Sequence, residues 1–250
     1  MKYRAILFDL FGTVALLNTE KLPVFEWEGQ AERGTNAALR TLYEQRIKDI
    51  PFHQFFTAMT VVSGDLLDAR IHEMREVPCA QRFFLILLRA GMEDSPATSH
   101  LAVELALAHS TLLASATQVP QAHASLLARA SQRYSLALVS NYDHGPTARQ
   151  ILQAGGVKEH FQHIVISEEH GWRKPHPTIF TDALTVLSVA PEEALFVGDS
   201  PSDDIAGAKG VGMDVVWVNA HDQPLPRGIP VPDYTVRAVP ELEYFLSDLR

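Results

Sequence analysis

Residues 5–13 read Ala5-Ile6-Leu7-Phe8-Asp9-Leu10-Phe11-Gly12-Thr13. Four apolar residues run without alternation, then stop at an aspartate followed by a glycine turn. A short, continuous apolar run suits a strand covered on both faces, as in a parallel sheet. Working outward, four more runs share this character: Leu136–Val139, Ile164–Ile166, Ala194–Val197 and Val215–Val218. Helical patterns fill the gaps between them, at Gln121–Arg133, Pro146–Ala154, Pro177–Leu187 and Pro201–Lys209. Gly155-Gly156 is a stop signal for the second of these helices. Alternating strand and helix predicts a doubly wound α/β domain with a parallel sheet.

The first two runs are about 130 residues apart, far more than an α/β connection needs. Residues 16–117 contain no run that reads as a buried strand. They read as helices, roughly Thr35–Lys48, Pro51–Met74, Ala80–Ala90 and Ser95–Ser115. The predicted organisation is a discontinuous α/β core, 1–15 and 118–250, with an inserted α-helical domain, 16–117. Phe52, Phe55 and Phe56 have the spacing of one helix face and are expected in that domain's own core.

Composition narrows the function. Net charge is −9 over 250 residues, which argues against nucleic acid as a partner. No apolar stretch reaches the roughly 18–20 residues of a membrane span, and the N-terminus lacks a leader pattern. One cysteine, Cys79, excludes an internal disulfide and reads as packing. The expectation is a cytoplasmic protein, monomer or homodimer, with no membrane partner.

Ligands of open parallel sheets bind beyond the carboxyl ends of the strands. The residues following the runs are Asp9, Phe11 and Thr13; then Ser140 and Asn141; then Lys174; then Asp199, Asp203 and Asp204. Several carboxylates, hydroxyls and a lysine on one edge suit Mg²⁺-assisted chemistry on an anionic small molecule. Clustered carboxylates repel one another unless a cation offsets them. Thr13, Ser140, Asn141 and Lys174 are the candidate substrate-binding groups. Asp203 reads more readily as a charge at a helix N-terminus than as a ligand.

These segments resemble the haloacid dehalogenase-like hydrolase superfamily. The resemblance rests on Asp9-Leu10-Phe11-Gly12-Thr13, Ser140, Lys174-Pro175, and Gly198-Asp199 with Asp204, all in order. It covers residues 1–15 and about 118–250. It implies a Rossmann-like core with a cap after the first motif. It also implies Asp9 as nucleophile and metal ligand, the Phe11 carbonyl as a second ligand, and Asp199 or Asp204, or both, completing a Mg²⁺ shell, with Asp203 the neighbouring candidate. Ser140 and Lys174 would act with Asp9 in catalysis.

One position departs from the phosphatase pattern. Where those enzymes carry a second aspartate for acid/base work, this chain has Phe11, whose ring transfers no proton. Loss of such a group commonly costs about 10²–10⁴ in rate. The 2-haloacid dehalogenases of the superfamily have an aromatic residue here, need no protonated leaving group and use no metal. They resemble Ser-x-Asn where this chain has Asp199-Ser200-Pro201. The retained acidic cluster favours a Mg²⁺-dependent, phosphatase-like member acting through an aspartyl-phosphate. Dehalogenation and a non-catalytic ligand-binding role are the alternatives. Lys21, Glu26, Glu28 and Lys48 are cap candidates to replace the missing acid. His144, His170 and His176 lie near the motifs but read as surface residues.

Overall fold

The computed structural model describes residues 2–244. The chain divides into two compact units: one holds the chain up to Leu16 and from Gln118 onward, the other Leu17–Thr117.

In chain order, β1 (Ala5–Phe8) is followed by the two-residue strand β2 (Leu16–Leu17), then β3 (Val24–Trp27) and β4 (Gln30–Arg33). Four helices come next: α1 (Asn36–Arg46), α2 (Phe52–Glu73), α3 (Cys79–Arg89) and α4 (Pro96–Ala116). After β5 (Thr117–Gln118) the strands and helices alternate: α5 (Gln121–Ala130), β6 (Ser135–Ser140), α6 (Gly145–Ala154), β7 (His163–Ile166) and α7 (Ser167–His170). Then follow α8 (Pro177–Leu187), β8 (Ala194–Gly198), α9 (Ala206–Gly210), β9 (Asp214–Val218) and β10 (Tyr234–Val236).

The first unit holds a six-stranded sheet of order β10-β9-β8-β1-β6-β7, and every pairing in it is parallel. This is a Rossmann-like α/β fold. Strand β1 is fully buried along its length, because helices cover both faces. Ala5 and Leu7 pack with Phe180 of α8 and Phe196 of β8. Phe8, pointing the other way by the period of two, meets Phe161 edge-on at 6.3 Å between ring centres. Fully burying side chains of this size contributes about 1.5–3 kcal/mol each.

Chain order reverses around β1: β6 and β7 extend to one side, then β8 returns to the other. The crevice at such a reversal is where ligands of this architecture bind. Helix boundaries follow local chemistry. Pro146 stands in the first turn of α6, and Gly156 leaves it with φ +64°.

The second unit is mainly helical. Cys79, Phe83, Ile86 and Leu87 share one face of α3 and are buried against Phe52 and Phe55 of α2 and Leu101 and Leu105 of α4. Phe56 packs against the same cluster, so the aromatic group is core.

Two expectations need correction. Residues 16–117 are not purely helical: β3 and β4 form an antiparallel hairpin. Its turn, Glu28-Gly29, has φ of +48° and +78°, as a two-residue hairpin turn requires. Only Phe25 in it is buried, so no apolar run announces it. The core sheet also has a sixth strand, β10, a three-residue edge strand with one buried residue. No helix among the described residues is long and apolar enough to cross a membrane.

Candidate active site

Asp9 lies just beyond β1, and its backbone N–H donates to the Val197 carbonyl at 2.9 Å. The next turn is tightly closed: Ala15 N–H donates to Leu10 O at 2.7 Å and Gly12 N–H to Ala15 O at 2.9 Å. Gly12 adopts φ +78°, and a Cβ there would lie 2.1 Å from Asp199 Oδ2. Only glycine lets this turn approach the end of β8 so closely.

From the other side come Asp199 and Asp204. Ser200 opens a wide π-helical turn over Pro201–Ile205, accepting the Asp203 N–H on its Oγ at 3.3 Å. Asp204 Oδ2 accepts the Ser200 N–H at 2.9 Å. Gly198 leaves room for it, since a Cβ there would stand 2.2 Å from Asp204 Oδ2. The Asp199 carbonyl is held by Trp217 Nε1–H at 3.0 Å. Carboxylate oxygens of Asp9, Asp199 and Asp204 thereby come within 4.8 Å of one another. Asp203 stands outside this trio; its Oδ2 accepts from Asn141 Nδ2 at 3.3 Å.

Lys174 enters between the acids. Its Nζ is 2.5 Å from Asp9 Oδ1 and 2.7 Å from Asp204 Oδ1, with the Phe196 ring centre 5.4 Å away. Burial alone lowers a lysine pKa, but Asp204 and Asp9 outweigh it and hold Lys174 above its ordinary value. Burial pushes Asp9 up to about 7; Lys174 opposes that rise, and Asp204 and Asp199 add to it. Asp199 is raised to about 6 by burial and by Asp204, against the pull of Lys174. Burial and Asp204 also raise Asp203. The trio is short of positive charge.

The Oγ of Ser140, at the end of β6, is buried and has no hydrogen-bond partner among the described residues; the same holds for Thr13 Oγ1. Both hydroxyls are 0–1% exposed, so each carries an unmet bond that a bound acceptor would satisfy. Asn141 does not share this state: its carboxamide is bonded to the Lys174 backbone on both sides. The half-buried Phe11 ring meets Tyr142 at 4.8 Å between centres.

The nearby histidines have structural partners. His144 Nδ1 meets Thr147 Oγ1 at 2.8 Å, His176 Nδ1 accepts the Thr178 N–H at the start of α8, and His170 Nδ1 faces the Trp172 N–H. Of the acid substitutes in the second unit, Glu26 and Glu28 belong to the hairpin, Lys21 is exposed, and Lys48 donates to the Glu44 carbonyl.

Two supporting residues escape the sequence reading. His123 of α5 is 6% exposed, and its Nδ1 lies 3.2 Å from the Val14 carbonyl, beneath the Asp9 turn. Trp217 anchors Asp199 from a neighbouring strand. Each contacts backbone, which leaves no motif. The signal available is a large polar-tipped residue in phase with apolar ones: His123 with Leu126, Leu127 and Ala130, and Trp217 within Val215–Val218.

Comparison with known proteins places these observations. A family model described as a haloacid dehalogenase-like hydrolase matches residues 3–212. Glyceraldehyde 3-phosphate phosphatase of Pyrococcus furiosus is 35% identical over 135 residues, 54% of this chain and 55% of that protein. Phosphoserine phosphatase of Thermus thermophilus is 35% identical over 142 residues, 57% of this chain and 55% of that protein. The chain thus spans about half the length of the curated relatives it matches. The crystal structure of a 2-haloacid dehalogenase from Pseudomonas syringae pv. Tomato superposes with a TM-score of 0.75 at 22% identity, covering 99% of this chain and 100% of that one. At that identity the likeness concerns the fold alone. With the family model spanning most of the chain, the parallel sheet and its carboxylate-bearing edge are those of a haloacid dehalogenase-like hydrolase, the enzyme family to which this chain belongs.

Proposed function

We propose that this chain is a Mg²⁺-dependent hydrolase of a small phosphorylated compound, with Asp9 as nucleophile. The observation that carries the reading is the charge imbalance at the site. Three carboxylates within 4.8 Å face one ammonium; fully ionised, that is −3 + 1 = −2. A divalent cation would balance it. The donors are all hard oxygens, which suit Mg²⁺ rather than a softer metal. Asp9, Asp199 and Asp204, with the Phe11 carbonyl, would hold the ion, which when bound supplies positive charge against the carboxylates and the phosphoryl oxygens.

This chain's own residues would do the rest. Asp9 attacks phosphorus with one carboxylate oxygen; the bond from phosphorus to the leaving oxygen breaks, and that oxygen takes a proton from solvent. Water then attacks the phosphorus, releasing inorganic phosphate and the Asp9 carboxylate. Lys174 would hold the nucleophile and offset charge on the transferring group. Ser140 and Thr13, whose buried hydroxyls lack partners, would hydrogen-bond its oxygens. The phosphatase names of the curated relatives support this substrate class. We read the helical unit, Leu17–Thr117, as a cap domain.

Phe11 favours a second reading, metal-independent dehalogenation of a 2-haloacid. One experiment separates the two. Hydrolysis of p-nitrophenyl phosphate that requires Mg²⁺ and is lost in Asp9→Asn supports the phosphatase. Chloride release from 2-chloropropionate in chelator, with no phosphate release, overturns it. Ligand-induced stabilisation without turnover of either compound overturns both and favours a binding role.

A further inference from the structure

One side chain, that of Asn141, takes both backbone polar groups of Lys174. Its Oδ1 accepts the Lys174 N–H at 2.7 Å, and its Nδ2 donates to the Lys174 carbonyl at 2.9 Å. The same Nδ2 donates to Asp203 Oδ2 at 3.3 Å. An ionised carboxylate only accepts, so Asp203 dictates which end of the amide faces it. That orientation is the one the Lys174 backbone needs.

The arrangement has a mechanical consequence. Asn141 follows β6, while Lys174 sits in the loop between α7 and α8, outside the sheet ladder. A loop residue without ladder bonds has little to hold its backbone. A lysine side chain is long and flexible, so its head group goes where its backbone lets it. Here the head group must stand 2.5 Å from Asp9 and 2.7 Å from Asp204. The amide sets the backbone from which that reach is measured. Asp203, which stands outside the carboxylate trio, gains a role through the same contact.

We infer that Asn141 and Asp203 form a clamp that positions Lys174, with Asn141 acting through the lysine rather than on the substrate and Asp203 acting through Asn141 rather than on a metal. The clamp deepens the phosphatase reading and rests on it for the kinetic readout; a chemical readout stands apart from catalysis.

The test uses the whole chain and the variants Asn141→Ala, Asp203→Ala and Asp203→Asn. Metal-free protein is treated with acetic anhydride, and acetylation of Lys174 is followed by peptide mass spectrometry. Separately, kcat and KM are measured on p-nitrophenyl phosphate with Mg²⁺. The clamp predicts acetylation of Lys174 at least tenfold faster in Asn141→Ala. It predicts kcat lowered about 10–100-fold with KM within threefold, since misplacement by about 1 Å costs this much. Asp203→Ala should shift both readouts in the same direction by less, and Asp203→Asn should lie nearer wild type, because an amide oxygen still accepts from Nδ2. A raised KM with unchanged kcat in Asn141→Ala, or unchanged Lys174 acetylation in a folded variant, overturns the clamp. If Asn141→Ala fails to fold, Asp203→Ala against Asp203→Asn decides: equal behaviour of the two overturns it. Faster acetylation in the variants with an inactive wild type overturns the phosphatase reading and supports the clamp.

Discussion

The ammonium of Lys174 stands 2.5 Å from the Asp9 carboxylate, although the two residues are 165 positions apart in the chain. Both groups are buried, and Lys174 also reaches Asp204. Removing one member of a buried ion cluster leaves the others uncompensated, which commonly costs about 3–5 kcal/mol. Lys174→Met is therefore expected to lower the melting temperature of the metal-free protein markedly. Lys174→Arg should not restore it, because a planar guanidinium does not fit a space shaped for a point charge. Calorimetry in chelator checks both.

Asp199 has the opposite sign. Its pKa rises to about 6 on folding, from the ordinary 3.8, through burial and the nearby Asp204. Between those values the folded chain binds more protons than the unfolded one, so this group lowers stability as pH climbs through about 6. At pH 7.5 without metal, Asp199→Asn is expected to melt higher than wild type. Mg²⁺ should raise the wild-type melting temperature and leave that of Asp199→Asn nearly unmoved. A wild type indifferent to Mg²⁺ would count against the metal site.

Gly12→Ala tests the approach of the Asp9 turn to β8. The new Cβ would fall 2.1 Å from Asp199 Oδ2, at a backbone angle of φ +78° that disfavours any side chain. Strain of this kind costs about 1–3 kcal/mol, and displacing Asp199 separates the carboxylates. The expected result is a destabilised protein with at least tenfold weaker Mg²⁺ binding, read by isothermal titration.

His123 predicts an acid limit. Burial lowers its pKa below 6.5, only partly opposed by the Val14 and Thr13 carbonyls. The neutral form is the one folding favours. Its contribution to stability is complete above pH 6.5 and is lost as pH falls through the lower folded-state value. Denaturant midpoints measured from pH 7.5 to 5 should fall, and His123→Gln should flatten that part of the slope.

Phe11→Asp asks whether the missing proton donor limits the rate. On poor leaving groups such as alkyl phosphates, kcat/KM is expected to rise by up to about 10²–10⁴. On p-nitrophenyl phosphate, whose leaving group needs little help, the gain should be small. Equal gains on both would refute the proton-transfer argument.

The amino-acid sequence by itself determined the central strands of the sheet. Ala5–Phe8 and Ala194–Gly198 are buried on both faces, and such strands must be continuously apolar. Strands with one wet face carry no such mark, so the hairpin of β3 and β4 and the edge strand β10 are not legible. Most candidate residues are visible one by one, because they follow strands whose ends can be read; Lys174, in the loop after α7, is the exception. What Asp203 and Asp204 do is not visible, for they are chemically identical neighbours. Only the wide turn opened by Ser200 decides between them, turning Asp204 to Lys174 and Asp203 to Asn141. The duty of Asn141 is likewise a tertiary fact, since its bonds cross 33 residues to a loop backbone. Sequence pattern records what burial demands of a segment; pairings between distant segments depend on where folding brings them together.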